Sequence, residues 1–257
     1  MNLGLENRRA LVTGASRGLG SAIASALAAE GAAVTAVARN LDRLNQLASA
    51  SGTGPGAITP RVCDLSDPAA IQGLAEVLGH VDVLVLNTGG PPPGAAADIT
   101  DAVWSAQFES MFLSAIRLTR LALPGMRQRG FGRIIVVVSS GVLQPIPGLG
   151  ISNALRLGLV GWAKTLASEV APQGITVNCL APGRIATDRV AELDQGRATR
   201  EGLSRDEVER QSRATIPAGR YGESKEFAAM AAFLASTQAS YITGGIIRVD
   251  GGMIRSV

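Results

Sequence analysis

Residues 10–28 read "ALVTGASRGLGSAIASALA", and the fold follows from what this stretch must do. A β-prone apolar run ends at Thr13, glycines follow at Gly14, Gly18 and Gly20, and an alanine-rich helical pattern begins at once. Glycine lets such a strand turn tightly into its helix, so that backbone N–H groups and the positive end of the helix dipole meet whatever lies above the turn. The spacing is G-x-x-x-G-x-G rather than G-x-G-x-x-G, and either pattern alone also suits a plain tight turn. Its place at the first strand–helix junction of an alternating chain is what points to a pyrophosphate cradle.

Working outward, short β-branched runs alternate with helical stretches. The strands read as "RALVT", "AAVTAVA", "AITPRV", "VDVLVLN", "RIIVVVSS", "ITVNCLA" and "GIIRVD". Near-continuous apolar runs of this kind suit parallel strands covered on both faces. Between them lie "GSAIASALAAEG", "DPAAIQGLAEVLG" and the long "TDAVWSAQFESMFLSAIRLTRLALPGM"; Asp67 followed by Pro68 makes a good helix start. The alternation predicts right-handed βαβ crossovers and a doubly wound α/β sheet, in one domain over 1–257. Residues 184–220 depart from the pattern, with many charges of both signs and little strand signal. They read either as a mobile helical lid or as a solvated surface insertion.

Composition narrows the chemistry. With 46% hydrophobic and 18% charged residues the chain is not disordered. Its net charge of +3 is mild, and every basic residue except Lys164 and Lys225 is arginine. Cys63 and Cys179 stand far apart, and His80 is the only histidine. That leaves no disulfide framework, no metal-ligand spacing and no Ser-His-Asp triad. No leader-like or membrane-spanning segment is read, so a cytoplasmic protein is expected. The balanced charges of 184–220 argue against a nucleic-acid surface.

Where the second strand ends, about twenty residues after the glycines, an NAD site calls for an acid on the ribose. This chain reads "AVARN", with Arg39 and no carboxylate. A guanidinium there can pair bidentately with a ribose phosphate, and Arg17 in the turn can join it. The residues therefore favour NADP(H) over NAD(H), against the plainer reading of a solvated arginine.

Further motifs follow in order: "CDL" at 63–65, "NTGG" at 87–90, "GRIIVVVSS" at 132–140, "ITVNCLAPG" at 175–183, "APGRIATD" at 181–188 and "YITGGIIRVDGG" at 241–252. With the glycine turn they make the chain resemble the short-chain dehydrogenase/reductases nearly end to end, and the β-ketoacyl-acyl-carrier-protein reductase type most. The resemblance implies a Rossmann fold with strand order 3-2-1-4-5-6-7, a homotetramer or dimer, and a carbonyl substrate such as an acyl thioester. It implies cofactor contacts at Gly14, Arg17, Gly18, Leu19 and Gly20, and at Asp64 beside the adenine. Asn87 and Gly89 are expected to line the cofactor after strand four, with Ile185 and Thr187 flanking the nicotinamide amide. One departure shows here: Leu86 stands where the family has an asparagine, so a sheet-bracing hydrogen bond is expected to be missing.

The larger departure lies in "ISNALRLGL" at 151–159. In the family a tyrosine gives the proton, a lysine lowers its pKa, a serine holds the carbonyl oxygen and an asparagine supports a relay water. On this chain the serine falls on Ser139 or Ser140, the tyrosine on Ser152, the lysine on Arg156 and the asparagine on Met111. No shifted register restores the pair, because the only tyrosines are Tyr221 and Tyr241. Ser152 and Arg156, four apart, share one helix face. An alkyl hydroxyl is a far weaker acid than a phenol, and arginine does not shuttle protons. Arg156 can still steady a carbonyl oxygen or grip a substrate carboxylate.

Arg117, Arg120, Arg127, Arg129 and Arg133 gather near the end of the long helix, in a region 110–168 without one acidic residue. They read as a landing patch for an acidic carrier protein, or more simply as charges complementing a helix C-terminus and subunit contacts. "GGPPPG" at 89–94 reads as a wall at the nicotinamide end or a stiff loop. Two functions stand open: an atypical NADP(H)-dependent oxidoreductase using Ser139 or Ser140, Ser152 and Arg156, and a catalytically silent NADP(H)-binding regulatory or partner subunit.

Overall fold

The structure, a computed structural model, describes residues 2–51 and 56–256. Seven strands form one sheet: β1 (Arg9–Thr13), β2 (Ala33–Ala38), β3 (Ile58–Val62), β4 (Val83–Leu86), β5 (Gly132–Val137), β6 (Ile175–Pro182) and β7 (Ile246–Val249). All pair in parallel, in the order β3-β2-β1-β4-β5-β6-β7. This is the expected doubly wound Rossmann architecture. Its central strands β4 and β5 are buried along their whole length, which is why they read as unbroken apolar runs.

Helices cover both faces. On one side α1 (Gly18–Ala29), α2 (Leu41–Ala50) and α10 (Ser224–Ala235) bury Ile23, Leu27, Leu44 and Phe227 against the sheet. On the other, α3 (Pro68–Gln72), α4 (Ala75–Gly79), α6 (Ser114–Arg129) and α7 (Gly150–Val170) bury Ile71, Leu78, Leu118 and Leu159. Leu86 sits in this second layer, 2% exposed, among apolar neighbours.

Two helices read from sequence are not continuous. The stretch 67–79 divides into α3 and α4 at Gly73 and Leu74, after the expected start in which the Asp67 carboxylate accepts from Ala69 N–H at 2.8 Å. The long helix over 100–126 begins as α5 (Asp101–Gln107), widens into a π-helical segment at Phe108–Leu113 and continues as α6. Met111 lies in the widened turn. Gly130, at φ +62°, ends the helix in the left-handed conformation that glycine adopts without strain.

Residues 184–220 carry α8 (Asp188–Glu201) and α9 (Arg205–Ala214). The root of this segment is tied down: the fully buried Asp194 accepts from Arg184 at 2.5 Å and from the Tyr221 hydroxyl at 2.7 Å. Among the described residues, no helix is long and apolar enough to cross a membrane, and no group of three or more His, Cys, Asp or Glu is placed to hold a metal.

Candidate active site

The strand order reverses between β1 and β4, and the glycine turn occupies that switch point. Asn87, just past β4, fastens it: its side-chain amide donates to the Thr13 and Gly14 carbonyls at 3.3 and 3.4 Å. Its backbone N–H donates to the Thr13 hydroxyl at 2.9 Å. Glycine is required by this closeness. A Cβ on Gly14 would stand 2.5 Å from the Asn87 carbonyl oxygen, and one on Gly20 would stand 2.2 Å from that of Gly14. Asn87 thus shapes the cradle from below, a role the expectation of a cofactor-lining residue did not include.

Above the turn, the first helical turn of α1 has no side-chain cap and no acidic residue. Its N–H groups have no intrahelical acceptors by construction, and Gly18 and Leu19 lie half-buried among them. The Thr88 hydroxyl, one residue past Asn87, is buried without a hydrogen-bond partner. Unused donors at a helix end, above a turn where only glycine fits, suit a dinucleotide lying across the strand ends. When bound, such a cofactor gives or takes a hydride.

At the ribose end Arg39 is exposed, and no carboxylate pairs with it among the described residues. Asp64 is half-buried, and its carboxylate accepts from Ser66 N–H at 2.9 Å and Ser66 Oγ at 2.7 Å. These bonds, the backbone one first, hold its pKa below the usual carboxylate range, with Arg39 adding a smaller pull. Arg17 turns away from that end: it pairs with Glu192 at 3.1 Å and Asp188 at 3.7 Å on α8. Arg17 is thus engaged by α8, while Arg39 makes no ion pair among the described residues.

At the other end of the crevice, Ser139 is extended and half-buried, and its hydroxyl oxygen accepts from Gly141 N–H at 3.0 Å. That leaves its own hydrogen available to an incoming oxygen. Ser140 begins the following short helical turn and is 4% exposed. Ser152 is 7% exposed, and its hydroxyl makes no hydrogen bond among the described residues.

Arg156, 6% exposed, is spent differently from the expectation of a freely offered cation. Nη1 donates to the Val137 carbonyl at 2.7 Å, and Nη2 donates to those of Thr88 and Gly89 at 3.4 and 3.5 Å. It clasps the carboxyl ends of β4 and β5. Burial, with the charge of Arg189 adding to it, pulls its pKa down to about 10, so it remains a cation at neutral pH. Met111, 1% exposed, packs with Ile151 and Leu155, so an apolar side chain fills the place expected of a relay asparagine.

Ile185 is buried, and the Thr187 hydroxyl caps α8 by accepting from Val190 N–H at 3.4 Å. Sequence reasoning missed Arg189, two residues on, which donates to the Pro91 carbonyl at 2.7 Å. A Cβ on Gly90 would stand 2.9 Å from the Arg189 Nε, whereas Gly89 has open space where a side chain would stand. The arginines of the long helix are mostly engaged within the chain. Arg117 pairs with Glu109, Arg127 bonds Gln173, Arg129 pairs with Asp82, and the buried Arg133 donates to the Ser236, Gly132 and Gly174 carbonyls. Of the five arginines in that cluster, Arg117, Arg127, Arg129 and Arg133 are thus engaged within the chain.

Comparison with known proteins agrees with this geometry. A family model described as enoyl-(acyl carrier protein) reductase matches residues 14–254. The 3-oxoacyl-[acyl-carrier-protein] reductase FabG of Escherichia coli (strain K12) is 38% identical over 260 residues, covering 98% of this chain and 99% of that one. The NADPH-dependent reductase BacG of Bacillus subtilis (strain 168) is 33% identical, covering 98% and 100%. Among solved structures, L-sorbose reductase from Gluconobacter frateurii, complexed with NADPH and L-sorbose, superimposes with a TM-score of 0.93 at 32% identity, covering the whole of both chains. With a glycine cradle at the switch point, a seven-stranded parallel sheet in this order and relatives matched end to end, the chain belongs to the short-chain dehydrogenase/reductase family.

Proposed function

We propose that this protein is an NADP(H)-dependent oxidoreductase of the 3-oxoacyl-carrier-protein reductase type, interconverting a carbonyl and an alcohol at a site with no phenolic proton donor. The observation that carries the cofactor is Arg39, exposed just past β2 and in no ion pair among the described residues. The NADPH named for the relatives above supports the same choice. Gly14, Arg17, Gly18, Leu19, Gly20, Arg39, Asp64, Asn87, Gly89, Ile185 and Thr187 form or frame its cleft.

The chain's own groups divide the work. Ser139 donates a hydrogen bond to the substrate oxygen, and Ser152 offers a second hydroxyl from α7. Arg156 keeps a fixed positive charge beside Ser152 and stabilises negative charge as it develops on that oxygen. Neither serine is acidic enough to release a proton at neutral pH, so water or a substrate group delivers it. The substrate is a small carbonyl compound or an acyl thioester, the chain assembles as a homotetramer or dimer, and α8 and α9 act as a lid.

Met111 in its apolar cluster and Arg156 tied to backbone carbonyls favour one competing reading, a silent NADP(H)-binding regulatory or partner subunit. Titration with NADPH and NADH, then turnover on carbonyl substrates in the same sample, separates the two. NADPH binding with turnover supports the enzyme; stabilisation by NADPH without turnover across a broad carbonyl panel supports the subunit.

A further inference from the structure

Arg156 is a buried cation without a counter-charge. No carboxylate lies within ion-pair distance of it among the described residues, and the neighbouring charge that bears on it is a second guanidinium, Arg189. Three backbone carbonyls satisfy some of its five N–H donors but carry only partial charge, and Nε makes none of these bonds. A buried charge left in this condition is costly unless something pairs with it.

Its surroundings repeat the theme. Arg156 and Arg189 reach the same turn from opposite sides, one bonding the Thr88 and Gly89 carbonyls, the other the Pro91 carbonyl. The Thr88 hydroxyl is buried and unpartnered. One helical turn before Arg156, Ser152 is a largely buried residue, 7% exposed, whose hydroxyl is bonded to nothing among the described residues. Two hydroxyls with open hydrogen-bonding capacity and two cations around an exposed glycine turn select an acceptor that carries full negative charge.

We infer that the Ser152–Arg156 face of α7, beside the Thr88–Pro91 turn, receives a carboxylate carried by the substrate itself, so that the preferred substrates are oxo acids rather than neutral ketones. This rests on the oxidoreductase reading above and names its substrate class. Arg156 then both clasps the strand ends and supplies the charge that orients the substrate.

The test compares acetoacetate with acetoacetamide, which share a skeleton and differ in charge. Each is titrated into protein saturated with NADPH, followed by nicotinamide fluorescence and by melting temperature. The acid is expected to bind at least about tenfold tighter than the amide, as one charge-assisted contact allows. Arg156→Met should erase that preference, Arg156→Lys should keep part of it, and Arg189→Gln, on the lid, should weaken it while leaving the Arg156 clasp in place. Equal binding of acid and amide overturns the inference. So does a preference that survives in Arg156→Met, or, if that variant does not fold, one left unchanged in Arg189→Gln. A change in NADPH affinity alone, with no change in the acid–amide ratio, shows that Arg156 serves the cofactor and also overturns it. Failure to bind NADPH sinks the oxidoreductase reading separately, because the same comparison on the cofactor-free chain still decides the anion site.

Discussion

The Arg156 guanidinium donates to the Val137 carbonyl at 2.7 Å, tying helix α7 to the carboxyl end of strand β5. Its weaker bonds to Thr88 and Gly89 extend the tie across to the loop after β4. The residue standing where the family's lysine is expected is therefore part of the scaffold. Arg156→Met strips donors from buried carbonyls but also removes an unpaired buried charge. The net loss expected is about 2 kcal/mol, with Arg156→Lys losing less, measured by urea denaturation of each variant.

In the proposed function, Arg39 determines cofactor choice. Arg39→Asp removes a guanidinium suited to a ribose phosphate and puts a carboxylate suited to ribose hydroxyls in its place. NADPH affinity should fall on the order of 100-fold while NADH affinity holds or rises, as read by fluorescence titration. Unchanged discrimination would move the phosphate site elsewhere.

The glycine cradle tolerates nothing larger. In Gly20→Ala the new methyl would meet the Gly14 carbonyl oxygen at 2.2 Å, so the turn must shift. NADPH binding should drop below detection while the sheet persists, seen as retained far-ultraviolet dichroism with a lowered melting temperature.

Asp194 anchors the root of residues 184–220. Buried completely, it accepts from Arg184 and from the Tyr221 hydroxyl. Asp194→Ala should cost about 3 kcal/mol by leaving Arg184 without its carboxylate, and Tyr221→Phe about 1 kcal/mol. If α8 and α9 act as a lid, Asp194→Ala should also raise the KM for NADPH, since α8 carries the Arg17 and Pro91 contacts.

Acid should weaken the start of α10 in a defined window. Glu226 is held to a pKa of about 2, first by its bonds to Arg220 and then by the Glu223 N–H of the capping box. A folded pKa below the ordinary 4.5 means stability present above 4.5 and lost as pH falls toward 2. Glu226→Gln should melt lower at neutral pH and show a shallower fall through that window.

The centre of the sheet was legible because β4 and β5 are sheathed on both faces, so "VDVLVLN" and "RIIVVVSS" stand out as unbroken runs of apolar residues. The glycine turn was legible because only glycine fits against Asn87 and Gly14. Breaks inside helices were not. The π-helical segment at Phe108–Leu113 keeps an ordinary helical pattern, and the division at Gly73 costs too little for its sequence to announce. Long side chains were the least legible. Nothing in the order of residues says that Arg17 turns to Glu192 rather than toward Arg39, or that Arg189 reaches Pro91. Such contacts depend on how two distant loops pack, which no local period records.

Hydride transfer without a phenol is tested most directly by mixing NADPH-saturated protein with a carbonyl panel containing acetoacetate and a 3-oxoacyl thioester, and following the nicotinamide absorbance. Steady NADPH oxidation with at least one substrate, lost in Ser139→Ala and in Arg156→Met variants shown to fold and to bind NADPH, is the expected result. Bound NADPH that is never oxidised by any member of the panel would contradict it.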